Sequence, residues 1–383
     1  MSLVVPLIEF KDGVYQLNND SLSWLSEQNS AFAVMSCAGK FRTGKSFLLN
    51  RFVDAGIGCG FGVGDTVQAC TRGIWMYKCF IRQAGSTVPL LVLDTEGIDA
   101  LDAENEHDVR IFAIAILISS VFVYNSMSHL DEAAVQTLSL MTKITQAMAN
   151  NKDYSPALYW ILRDFALQLV DTEGHTITHA EYLAQALDTT TTKCATREAI
   201  KQVFGDRHLV TLPCPHNGRS HKLEQQTLNP KFEKFLTIFR NHVCTHAKPV
   251  SASGVSLTGV VYVRFLHDIV SKVNADNAIP KIEDSWTLVS KLQHNEEENK
   301  ARQALIALAL NTCPNGTEKQ VIEWTQKQCQ EYCKSLTFIP PGPDIHVICS
   351  RLVSDIVEQC GHAGKIKSLE QTARDLITSL LKV

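Results

Sequence analysis

Over the first 280 residues, short apolar runs closed by polar or glycine-containing turns alternate with amphipathic stretches. That is the pattern of βαβ units on a mostly parallel sheet with helices on both faces. Residues 31–37 form the first run dense enough for a buried strand, and 90–93, 121–124 and 158–162 repeat the type. Residues 210–212 read as a last strand ended by Pro213 and Pro215, and 74–80 as a strand behind an exposed loop. The apolar run 111–117 completes a helix instead, and further helices are expected after Gly44 and over 131–149, 180–187 and 231–245.

Near 277–280 the pattern changes. Beyond it only helical periodicity remains, over 282–310, 317–336, 345–360 and 365–381, broken by Asn315-Gly316 and by Pro340-Pro341-Gly342-Pro343. The reading is a large α/β domain over 1–280 followed by a small all-α helical bundle over 281–383. The longest apolar run, 111–123, is interrupted by Ser119 and Ser120 and is shorter than the roughly twenty residues a spanning helix needs.

Composition narrows the function classes. Of 383 residues, 45% are hydrophobic and 20% charged, which fits a packed globular chain and not a disordered one. Lys plus Arg number 36 against 40 Asp plus Glu, a net charge of −4, which argues against a nucleic-acid binder held by bulk charge. Twelve scattered cysteines without a CxxC pair, and no secretory signal at the start, read as reduced thiols in a cytoplasmic protein. Ser2 stands where myristoylation needs glycine and the last four residues hold no prenylation cysteine, so no lipid anchor is expected.

The candidate chemistry begins at Gly39, Lys40, Phe41, Arg42, Thr43, Gly44, Lys45 and Ser46, which fit GxxxxGK[ST] between an expected strand and an expected helix. Glycines let backbone N–H groups and a helix N-terminus face phosphate oxygens. Lys45 reaches the β- and γ-phosphates, and Ser46 places its hydroxyl on Mg²⁺. About fifty residues on, the strand 90–93 ends in Asp94-Thr95-Glu96-Gly97, a DxxG motif. Asp94 would hold Mg²⁺ through water and the Gly97 N–H would sense the γ-phosphate. A hydroxyl between the two motifs is needed to close on metal and phosphate; Thr71 is the choice, with Thr66 as competitor.

The usual guanine motif [NT]KxD is absent. Arg163 and Asp164, at the tip of the strand 158–162, stand where nucleotide sites of open α/β sheets gather. A carboxylate there accepts from guanine N1–H and the exocyclic amine, and adenine offers neither donor on that edge.

These stretches, together with 71–76 (TRGIWM), 112–126 (FAIAILISSVFVYNS) and 160–169 (WILRDFALQL), resemble the guanylate-binding proteins of the dynamin superfamily, with atlastins more distant. The resemblance covers about the first 280 residues. It implies a GTPase that hydrolyses GTP to GDP with Mg²⁺, forms a homodimer through its nucleotide face when GTP-bound, and moves its helical domain in response. It assigns Arg42 as an arginine finger, Lys45 and Ser46 to phosphate and Mg²⁺, Phe47 and Pro215 to the nucleotide, Thr71 to the switch, Asp94 to the metal, Glu96 to the attacking water, and Arg163 and Asp164 to the base. No residue decides between stopping at GDP and continuing to GMP.

There are departures from the family pattern. Ala69-Cys70 stands where many members have Ser-His before the switch threonine, removing a serine hydroxyl from the water network. The base-covering segment 213–226 keeps Pro215, Arg219 and Lys222 but otherwise diverges, and the helical part is short, without a transmembrane hairpin. Any membrane or protein partner would therefore be met through the helical domain. A GTP-binding assembly module with weak hydrolysis is the second reading, kept open by Ala69. A P-loop kinase or ATPase is a third, disfavoured by Arg163-Asp164. The pairs His216/His221, His242/His246 and Cys329/Cys333 lack completing ligands, so no zinc is expected. Cys37 and Cys70 read as small buried hydrophobes, and Trp286 and Trp324 as core.

Overall fold

The computed structural model describes residues 3–56, 59–63, 73–82, 88–97, 106–139, 155–188, 194–216, 228–252 and 255–276. The expected helices over 281–383, the switch candidates Thr66 and Thr71 with Ala69 and Cys70, and Arg219, His221 and Lys222 lie outside these residues.

The chain opens with two strands absent from the sequence reading, β1 (Val4–Lys11) and β2 (Val14–Leu17), joined at Asp12-Gly13. Both turn residues have positive φ, 52° and 81°, the backbone that suits the twist of a tight hairpin. Helix α1 (Asn19–Ser26) follows, its first turn capped by Asn18, whose side chain accepts from Ser21 N–H. Next come β3 (Ala33–Ala38), α2 (Lys45–Phe52), β4 (Ile74–Tyr77) and β5 (Leu90–Thr95). Helix α3 (Glu106–Leu117) leads to β6 (Val121–Met127), a helical turn region α4 (132–139) and β7 (Ala157–Arg163). Then come α5 (His179–Ala186), α6 (Cys194–Val203), β8 (Arg207–Leu212), α7 (Pro230–His246), a two-residue pair β9 (Ser251–Ala252) and β10 (Val255–Ser256), and α8 (Gly259–Asp276).

One sheet of eight strands runs in the order β2-β1-β4-β5-β3-β6-β7-β8. From β5 to β8 every pairing is parallel, as the alternating pattern predicts, whereas β2, β1 and β4 add an antiparallel edge. The central strands are buried on both faces: all six residues of β3 and all six of β5 are inaccessible. Their alternation sorts the core into two layers. Met35 and Cys37 face α2 and α7, packing with Leu48, Phe52 and Phe239. On the other side Phe112 of α3 meets the Phe122 ring at 5.1 Å, and Tyr262 of α8 donates its hydroxyl to Ile118 O at 2.9 Å.

Strand β5 lies on one side of β3 and β6 on the other, so the chain leaves β3 at the switch point of the sheet. In open α/β sheets that crevice, at the carboxyl ends of the strands, is where ligands are held.

Candidate functional site

The loop from Gly39 to Gly44 fills that crevice, and its shape is dictated by residues without room for a side chain. Gly39 has φ +153°, and a Cβ there would lie 2.1 Å from the Asn125 carbonyl oxygen on β6. Gly44 has φ +76° and starts α2 with no side-chain cap on the first-turn N–H groups. Inside the loop, Thr43 Oγ1 donates to Lys40 O at 2.8 Å and Asn125 Nδ2 donates to Thr43 O at 3.0 Å. Arg42, at φ 63°, lies on the exposed side, with its guanidinium 5.5 Å from the Phe41 ring centre.

Lys45 is 6% exposed and donates to Lys40 O at 3.2 Å. Burial pulls its pKa below the ordinary lysine value, with the Asp94 carboxylate opposing the shift. A cation held in that state gains from a polyanion above it. Beside it, Ser46 Oγ donates to Asp94 Oδ2 at 2.6 Å. Asp94 stands at the end of β5, in register with Cys37 of β3, so the DxxG motif begins directly beside the P-loop. Gly97 closes the motif against that loop: a Cβ on it would come within 2.6 Å of Phe41 Cα and 3.0 Å of Lys45 Nζ. Glu96 is turned elsewhere; its Oε2 accepts from Gly73 N–H at 3.0 Å and meets His107 Nε2 at 3.2 Å.

At the end of β7, Arg163 is 4% exposed, and burial lowers its pKa from the ordinary arginine value while Asp164 opposes. Its Nη1 donates to Gly44 O at 3.0 Å, and its guanidinium lies over the rings of Phe47 (5.7 Å) and Phe232 (5.6 Å). Arg163 therefore braces the P-loop helix. Asp164, at φ 53°, carries a buried Oδ1 that has no hydrogen-bond partner among the described residues, an unusual state for a buried polar atom. Pro215 is fixed by its carbonyl, which accepts from Asn229 N–H at 2.8 Å at the start of α7.

The geometry thus gathers Gly39 to Phe47, Asp94, Gly97, Arg163 and Asp164 along one carboxyl edge. Two residues at this edge were not assigned to the nucleotide site from sequence, His216 having been read only as half of a metal pair without completing ligands. Asn125 holds the loop from β6, and His216, 5% exposed and 5.8 Å from the Phe47 ring, has no hydrogen-bond partner on either ring nitrogen among the described residues. Asn125 lies within the YNS stretch, but its partner is 82 positions away.

Residues 12–251 match the family model described as "Guanylate-binding protein, N-terminal domain". The chain belongs to the guanylate-binding protein family. Among relatives, it is 31% identical to guanylate-binding protein 5 of Mus musculus over 323 residues, covering 77% of this chain and 54% of the relative. It is 31% identical to guanylate-binding protein 2 of Homo sapiens over 328 residues, 76% of this chain and 55% of the relative. With guanylate-binding protein 4 of Homo sapiens the identity is 27% over 379 residues, 92% of this chain and 56% of the relative. The chain spans about half the length of the curated relatives it matches. As a guanylate-binding family member it shows no helix, among the described residues, long and apolar enough to cross a membrane.

Proposed function

We propose that this guanylate-binding family member binds GTP with Mg²⁺ and hydrolyses it to GDP and phosphate. The observation that carries the reading is that a buried Lys45, the Ser46–Asp94 pair and the unpartnered Asp164 carboxylate oxygen share one strand edge. The first suits polyphosphate, the second a divalent cation, and the third a base with N–H donors on its edge.

The donor set fits Mg²⁺, which takes oxygen ligands: a hydroxyl and a carboxylate meet at 2.6 Å beside the phosphate loop. Ser46, Asp94 and Thr71 would hold the ion, which when bound supplies charge neutralisation on the phosphates. Lys45 and the loop N–H groups orient the phosphates. Arg42, on the exposed side of the loop, turns inward to neutralise charge developing on the transferred group, an effect worth about 10³- to 10⁵-fold in rate.

Met127, the last residue of β6, and Leu167 and Val170, which follow β7, are apolar residues 41%, 62% and 44% exposed, and support a homodimer through the nucleotide face. A large GTPase domain over 1–280 would pass the nucleotide state to a helical domain over 281–383, the part that meets any membrane or protein partner. A second reading, a GTP-gated assembly module with weak hydrolysis, draws on Ala69-Cys70 and on a Glu96 carboxylate engaged with Gly73 and His107.

The test is GTP turnover with Mg²⁺ as a function of protein concentration, with ATP as control and Arg42→Ala as variant. Specific activity that climbs with concentration, ignores ATP and collapses in the variant supports the hydrolysing dimer. Tight GTP binding without turnover at any concentration favours the assembly module.

A further inference from the structure

Glu96 sits between two fixed points, Asp94 bonded to Ser46 and Gly97 pressed on Phe41 and Lys45. From there it grips Gly73 twice. Its N–H donates to Gly73 O at 2.9 Å, and its Oε2 accepts from Gly73 N–H at 3.0 Å. Gly73 is itself packed closely on β1: at φ +80°, a Cβ there would be 2.2 Å from Ile8 O. Thr71 is two residues upstream, within about 7 Å of chain reach. The Glu96 carboxylate thus helps fix Gly73, two positions after Thr71 in the sequence.

What aims that carboxylate is a line of side chains. His107 Nε2 lies 3.2 Å from Glu96 Oε2, and His107 Nδ1 lies 3.0 Å from Tyr15 Oη. An ionised carboxylate only accepts, so Nε2 carries the hydrogen and donates whatever the charge of the ring. The imidazole cannot turn freely, because Phe10 packs on it at 4.1 Å and Tyr15 stacks on it at 5.6 Å. Tyr15 in turn is tied to the last turns of α8: its N–H donates to Asn274 Oδ1 at 2.9 Å and its carbonyl accepts from Asn274 Nδ2 at 2.8 Å.

We propose that His107, oriented by Tyr15, is a positioning residue for GTP hydrolysis, holding the Glu96 carboxylate so that Gly73 stands in register with the P-loop. This rests on the hydrolysis reading above. His107 touches neither nucleotide nor phosphate in this role; it acts through Glu96, as groups behind a first layer of site residues commonly do.

The test uses the full chain and three variants, His107→Ala, His107→Gln and Tyr15→Phe. Readouts are kcat and KM for GTP, affinity for the slowly hydrolysed analogue GTPγS, and the thermal midpoint. The expected result for His107→Ala is a kcat about tenfold lower with GTPγS affinity unchanged. His107→Gln, whose amide places a donor near the Nε2 position, recovers most of kcat, and Tyr15→Phe shows a smaller loss in the same direction. An active wild type whose kcat is indifferent to His107→Ala overturns the positioning role alone. So does a loss shared equally by kcat, GTPγS affinity and thermal midpoint that His107→Gln fails to rescue. A wild type that binds GTPγS but never turns over GTP overturns the hydrolysis reading, and the role of His107 with it.

Discussion

Ser46 Oγ donates to Asp94 Oδ2 at 2.6 Å, joining the first turn of α2 to the end of β5 across 48 positions of sequence. If this pair is the cation site, chelating Mg²⁺ weakens GTP binding by the wild type, and Ser46→Ala binds GTP weakly with or without chelator. Titration calorimetry in both buffers checks this. Without nucleotide, the same variant removes a hydrogen bond to a buried carboxylate, so its denaturation midpoint falls, at a cost of about 1–3 kcal/mol.

Asp164 carries a buried Oδ1 with no hydrogen-bond partner among the described residues, the acceptor that the proposed function gives to the base. Asp164→Asn replaces a charge that accepts two donors with an amide that cannot, and the preference for GTP over ATP is expected to fall by about 10- to 100-fold. Competition of GTP and ATP for a fluorescent GTP analogue measures it. A preference that survives the substitution would place base reading elsewhere.

Glycine positions divide into crowded and open ones. Gly39→Ala sets a methyl 2.1 Å from Asn125 O at φ +153°, so β6 or the loop must move. Phosphate binding is expected to be lost along with stability. Gly174→Ala, at φ +87° with nothing within 4 Å, carries only the backbone strain of about 1–2 kcal/mol and leaves GTP affinity intact. Paired melting curves and binding isotherms separate the two.

A histidine cluster far along the sheet is expected to make stability depend on pH. His242 Nδ1 meets Tyr159 Oη at 2.9 Å, its ring stacks on His246 at 4.2 Å and lies 4.8 Å from His208, which pairs with Asp206. Burial first, then His208 and His246, lowers the His242 pKa from its ordinary 6.5, and Asp206 opposes. The unfolded chain then binds this proton more readily than the folded one, so stability rises with pH. The contribution is complete above about 6.5 and is lost as pH falls toward the folded value. Thermal midpoints between pH 5 and 8 are expected to slope less steeply in His242→Gln than in wild type.

Much of the fold was legible because the parallel strands are short apolar runs whose identity is local. Residues 90–93, 121–124 and 158–162 all fall inside β5, β6 and β7, and the run 111–117 falls inside α3 as read. The antiparallel edge was not legible. β1 contains Pro6 and is largely half-exposed, so its pattern is weak, and its place beside β4 depends on a partner about seventy positions away.

The P-loop, the DxxG aspartate and the Arg163-Asp164 pair could be named from the chain alone because each motif is a local string whose chemistry requires those residue types in that order. What only the tertiary structure decided is how they are held. Asn125 brackets the loop from β6, Arg163 braces Gly44 across 119 positions, and Tyr15, His107 and Glu96 form one line that ends on Asn274, 259 positions from Tyr15. Such contacts have no sequence period to betray them. The first two exist because parallel strands bring distant carboxyl ends to one edge, and the last because the antiparallel edge lays Tyr15 against α3 and α8, where most buried polar groups find a partner.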